Sequence, residues 1–124
     1  MRGRRGDRII LQKIIEYSAE IEGLITRFDA SYEIYLSDKG FRYACDMCVL
    51  QIGELTKRLS DDFKAQNSEI MWHAIKGMRN VLVHEYEKID LYKSWVTLTQ
   101  RVPELKAQLE QILAEGEYNE NHDE

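Results

Sequence analysis

The stretch Phe41-Arg42-Tyr43-Ala44-Cys45-Asp46-Met47-Cys48-Val49-Leu50-Gln51-Ile52-Gly53-Glu54-Leu55-Thr56-Lys57-Arg58-Leu59-Ser60-Asp61-Asp62 sets the fold class. Cys45, Cys48, Ile52, Leu55 and Leu59 recur at alternating steps of three and four, the narrow seam of a helix packed between other helices. The spacing predicts one helix over residues 41–62. Both cysteines fall on that seam, so their C-x2-C spacing reads as core rather than as a zinc or redox pair. No second pair completes a four-ligand metal site. Glu54 and Lys57 stand on another face and can pair, contributing a few tenths of a kcal/mol.

Outward from this helix the same periodicity continues. Upstream, Leu11, Ile14, Ile15, Ile21, Leu24, Ile25 and Phe28 predict a helix over residues 8–28, with Asp7 as its cap. Ser31 caps a short turn of helix over residues 32–36, and the Ser37-Asp38-Lys39-Gly40 cluster breaks it. Downstream, Asn67 or Ser68 starts a helix that runs through residue 86, with Glu69 in its first turn. Asp90 caps a helix over residues 91–101. Pro103 keeps Val102 out of helical angles and opens a last helix over residues 104–114. The expectation is an all-α, antiparallel bundle of four to five helices.

A chain of 124 residues, 44% hydrophobic and 31% charged, makes one soluble domain with a single core. Residues 1–7 read as a disordered basic arm, 8–114 as the helical domain and 115–124 as a disordered acidic tail. No apolar run of about 18 residues exists to span a membrane. Ile9-Ile10-Leu11 is interrupted at once by Gln12 and Lys13, so no secretory signal follows the basic start, and a cytoplasmic location is expected. A formal net charge of -5 argues against a protein that coats nucleic acid. An RNA substrate held in a cleft needs positive charge only there.

The chemistry concentrates in Gly77-Met78-Arg79-Asn80-Val81-Leu82-Val83-His84-Glu85-Tyr86, with the spacing Arg-x4-His-x-Tyr. On a continuous helix Arg79 and Tyr86 share a face, while His84 is rotated from Arg79 by about 140°. Either the helix breaks near His84 or a second copy of the motif faces the first. Histidine suits proton transfer near neutral pH, arginine offers a phosphate two parallel charged hydrogen bonds, and Asn80 adds a neutral donor. Residue type alone would make Arg79 an exposed cation and His84 a partner of the helix dipole. Gly77 inside the helix costs about 1 kcal/mol relative to alanine, which is reasonable where another backbone or a ligand comes close. Trp72 and Trp95 read as core or interface aromatics, His73 as a surface or partly buried helix residue, and His122 as part of the tail.

This motif, followed by Ile89-Asp90, Trp95 and Val102-Pro103-Glu104-Leu105 and preceded by Ile52-Gly53-Glu54 and Lys57-Arg58-Leu59-Ser60, resembles the HepT branch of the HEPN superfamily over most of residues 8–114. The resemblance implies a small helical toxin of a type VII toxin–antitoxin pair: a metal-independent endoribonuclease, without a cofactor, whose homodimer shares one cleft. Arg79 and His84 would be catalytic and Asn80 would contact the substrate phosphate. The partner implied is a minimal, MntA-like nucleotidyltransferase antitoxin that silences the toxin by AMPylation of Tyr86. The alternative is a non-catalytic helical module that binds that nucleotidyltransferase or a nucleotide.

Overall fold

The computed structural model describes the backbone over residues 3–123 and side chains over residues 6–116. Seven α-helices follow one another: α1 (Gly3–Arg27), α2 (Tyr32–Ser37), α3 (Lys39–Lys57), α4 (Asp61–Gln66), α5 (Trp72–His84), α6 (Leu91–Val96) and α7 (Val102–Asp123). A 3-10 turn, Tyr86–Lys88, follows α5, and a π-helical stretch, Thr97–Arg101, joins α6 to α7. No strand occurs among the described residues. The long helices make an antiparallel bundle in which α3 packs against both α1 and α5, and α7 packs against α1. The all-α expectation holds, with the short α2, α4 and α6 serving as corners.

The seam of α3 is the centre of the core. Cys45, Cys48, Ile52 and Leu55, with Leu59 just past the helix end, are all buried in one core with Ile10, Leu11, Ile14 and Ile21 of α1 and Leu105 and Leu109 of α7. Both cysteines are free thiols, and burial pushes them up, Cys45 to about 12 and Cys48 to about 11, as expected of core residues. An aromatic cluster closes one end: Phe28 stacks on Phe41 at 4.3 Å, and Tyr35 and Trp95 pack against Phe41. Trp95 is thus a core aromatic, while Trp72 packs on Phe63 and donates its indole N–H to the carbonyls of Lys64 and Asn67.

Several boundaries differ from the sequence reading. Asp7 does not cap α1; it lies inside the helix, buried, and accepts hydrogen bonds from the Ser60 amide at 2.9 Å and the Ser60 hydroxyl at 2.6 Å. Ser60 in turn caps α4, so α3 ends at Lys57, and residues 58–60 turn the chain where one continuous helix was expected. Asn67 ends α4 instead of starting the next helix, and α5 begins only at Trp72 because Ile70 dips into the core and the Trp72 indole holds the loop. Ser31 and Asp90 do cap α2 and α6, and Asp38, within the cluster that ends α2, also caps α3. Val102 keeps helical angles, φ -64° and ψ -47°, despite Pro103. The wider π turn accommodates the missing proline N–H: the Val102 amide reaches back five residues to the Thr97 carbonyl. The backbone of α7 continues past residue 114 to Asp123. The disorder expected for residues 1–7 and 115–124 falls mostly on positions whose side chains lie outside those described, as does His122.

Candidate functional site

α5 carries the motif. Arg79, Asn80 and His84 lie within one regular helix, so the rotation of about 140° between Arg79 and His84 applies, with an axial rise of about 7.5 Å. One copy of the chain therefore points the two side chains apart. The helix ends at His84, and Glu85, with φ -138° and ψ 37°, turns the chain into the 3-10 segment that begins with Tyr86. The shared helical face expected for Arg79 and Tyr86 is corrected by this break.

Each side chain of the motif is held differently. The Arg79 Nε donates to Glu54 of α3, and its Nη1 donates to the Asn80 Oδ1 at 3.2 Å. The Arg79 side chain is only 18% exposed, whereas Glu54 is 41% exposed. The Arg79 hydrogen bond and charge, with help from Lys57 at 3.9 Å, hold the Glu54 carboxyl below its usual range. The Nη2 of Arg79 takes part in neither bond. His84 is exposed at the last position of the helix, and no hydrogen bond or ion pair within the described residues holds it.

Gly53 makes this geometry possible. A Cβ at that position would stand 2.5 Å from the Arg79 Cβ and 2.8 Å from its Cγ, so α3 and α5 come close together there. Gly77, by contrast, has nothing within 4 Å of a would-be Cβ. The close approach that a glycine in a helix signals is real, but within this chain it belongs to Gly53.

Tyr86 is anchored eight residues earlier on α3 than Glu54. Its hydroxyl donates to the Asp46 Oδ2 at 2.8 Å, and its ring lies 6.3 Å from that of Tyr43. Burial pushes the Asp46 carboxyl up, opposed by the Tyr86 hydrogen bond and by Arg42. Desolvation, then the hydrogen bond and charge of Asp46, push the Tyr86 phenol up to about 12. Asp46 also lines a cleft of about 450 Å³ between α3, α5 and α6, walled by Val49, Met78, Val81, Leu82 and Leu98, with Lys88 and Lys93 among its polar groups.

Arg79 and Asn80 are thus brought together, and His84 and Tyr86 stand apart from them. Asp46, Gly53 and the Arg79 contact of Glu54 escape a reading of the motif alone. A glycine inside the apolar seam of α3 was the available signal for the second of these. Asp46 sits between two seam cysteines and has no sequence signal, because its role depends on the turn after α5. No group of three or more His, Cys, Asp or Glu among the described residues is placed to hold a metal ion, and no described helix is long and apolar enough to cross a membrane.

Comparison with known proteins agrees with this architecture. Two relatives named as ribonucleases are 33% and 35% identical to the chain. The probable ribonuclease HepT of Thermococcus cleftensis aligns over 79% of this chain and 91% of its own length. A candidate RNase of Caldanaerobacter subterraneus aligns over 76% and 85%. A candidate RNase of Methanocaldococcus jannaschii, 29% identical, covers 92% of this chain and 93% of its own. No solved structure matches significantly. The family model described as HepT-like, Ribonuclease HepT-like, matches residues 14–112, which include the whole of α3, α5 and the turn that carries Tyr86, and the chain belongs to that family.

Proposed function

We propose that this chain, as a ribonuclease of the HepT-like family, is a toxin that cuts RNA without a metal ion, at a site completed by a second copy. The observation that carries the reading is the divergence of Arg79 and His84 on α5, a helix with no fully buried residue. Two copies of α5 set face to face bring the Arg79 of one toward the His84 of the other in a shared cleft. There the His84 imidazole takes the 2′-hydroxyl proton as that oxygen attacks phosphorus, and the bond from phosphorus to the 5′-oxygen breaks, leaving a 2′,3′-cyclic phosphate and a 5′-oxygen that takes a proton from water. Arg79 binds the charge growing on the phosphate oxygens through the edge that Glu54 and Asn80 leave available. Asn80, whose Oδ1 accepts from Arg79, keeps its amide N–H groups for the same phosphate. The second strand of the reading is control: an MntA-like nucleotidyltransferase transfers AMP to the exposed Tyr86 hydroxyl, and the added phosphates repel RNA.

End-labelled RNA incubated with partner-free protein in excess chelator tests the first strand, with His84→Ala alongside. Cleavage by the wild type and loss of about 100-fold or more in the variant are expected. Cleavage retained by His84→Ala removes histidine from the mechanism. The pairing of Arg79 with Glu54 favours one other reading, a non-catalytic module that holds the nucleotidyltransferase or a nucleotide. Folded dimer, unmodified at Tyr86 and inert toward RNA, is the outcome that selects it.

A further inference from the structure

The described residues include three exposed tyrosines, Tyr43, Tyr86 and Tyr92. They are chemically alike and are not equally prepared to react. Tyr92 packs edge-on against Tyr32, Tyr43 lies beside the Tyr86 ring, and only Tyr86 donates its hydroxyl to a carboxylate. That carboxylate, Asp46, is half-buried on α3 at the wall of the cleft, so the phenolic oxygen is reached from solvent while its proton already points at an acceptor.

We propose that Asp46 is the catalytic base of the nucleotidyl transfer to Tyr86, supplied by the acceptor chain itself; this rests on the reading of Tyr86 as the AMP acceptor. The Tyr86 Oη attacks the α-phosphorus of ATP and a new O–P bond forms. The bond from that phosphorus to the bridging oxygen of the β-phosphate breaks, and pyrophosphate leaves with the electron pair. The phenolic proton passes to the Asp46 Oδ2 and from there to water. Nothing is oxidised or reduced.

The physical need for such a base is plain. A phenol at about 12 is ionised in roughly one molecule in 10⁵ at pH 7, so the proton must leave as the new bond forms. Burial raises the basicity of Asp46 above that of an ordinary carboxylate. The groups around it are mixed. Arg42 on its own helix opposes that rise, and Tyr35 and Cys45 lie close enough to feel its charge. Lys88, Asp90 and Lys93 line the same cleft as Asp46, two cations and one further carboxylate.

Radiolabel transfer from [α-³²P]ATP by an MntA-type nucleotidyltransferase provides the test, using the wild type, Asp46→Asn, Asp46→Glu and Tyr86→Phe over a range of pH. Asparagine can still accept the phenol's hydrogen bond but cannot take its proton, so the pose survives and the base is lost. Labelling of Asp46→Asn is expected to slow about 100-fold at pH 7, with Asp46→Glu recovering part of the rate. The ratio of wild-type to Asp46→Asn rates should shrink as pH rises, because hydroxide replaces the missing base; a purely structural role would leave that ratio constant. Equal rates for wild type and Asp46→Asn, or a ratio unchanged with pH, overturn the assignment while leaving Tyr86 as acceptor. Absence of label from the wild type, or label persisting on Tyr86→Phe, instead overturns the reading of Tyr86 and takes the base with it.

Discussion

α3 and α5 lie side by side yet are built on opposite terms. α3 buries eight of its residues, Phe41, Cys45, Cys48, Val49, Ile52, Gly53, Leu55 and Thr56, and is held on several sides. α5 buries none, although Ile75, Met78 and Leu82 lean on the core, and Val83 is 44% exposed. The bundle thus spends its apolar seam on α3 and presents α5 as a half-covered face. A helix of this kind is available to a second surface; Arg79, Asn80 and His84 sit on it, while Glu54, which holds Arg79, sits on α3.

The largest test of that contrast is a pair of truncations. Phe41→Ala should lower the unfolding free energy by about 3–5 kcal/mol in urea titrations, whereas Val83→Ala should change it by less than about 0.5 kcal/mol. A loss at Val83 as large as that at Phe41 would mean that the open face of α5 is covered in solution. Asp7→Ala comes next: it leaves the Ser60 amide and hydroxyl without their charged acceptor and should cost about 1.5–3 kcal/mol, with the start of α4 fraying first in hydrogen exchange. Gly53→Ala brings a methyl into the Arg79 stem. It should destabilise by about 1–3 kcal/mol and reduce RNA cleavage more than the lost stability explains, since it moves α5 as a body. Unaltered stability and cleavage in Gly53→Ala would mean that α3 and α5 are not in close register.

The smallest expected effect concerns pH. Because burial raises the Asp46 carboxyl in the folded state, its contribution to stability is complete below the ordinary carboxylate range and is lost as pH rises through the raised value. Asp46→Asn should flatten that part of the stability-against-pH curve measured by thermal melting. A slope identical in wild type and Asp46→Asn would assign it to another group.

How far the sequence reached can be read residue by residue. The three-and-four spacing of the seam from Cys45 to Leu59 was sufficient to place those side chains in the core, and Ser31 and Asp90 announced their helices because capping is a local bond between near neighbours in the chain. Pro103 misled for the complementary reason: a single π turn satisfies it, and that turn is a matter of how α6 and α7 join. Asp7 reads as a cap because no local pattern shows that Ser60, 53 residues away, is its partner.

The same division holds at the site. Sequence by itself determined that the imidazole and guanidinium diverge if one helix carries both, because helical rotation per residue is fixed by the backbone; that α5 runs unbroken from Arg79 to His84 is seen in the structure. Only the tertiary structure decided what each side chain meets: Glu54 for Arg79, Asp46 for Tyr86, and open solvent for His84. Those pairings arise from the packing of α5 against α3 and from the break at Glu85. Contacts 25 and 40 residues apart in the chain follow from how helices are arranged in space, and no period along the sequence encodes them.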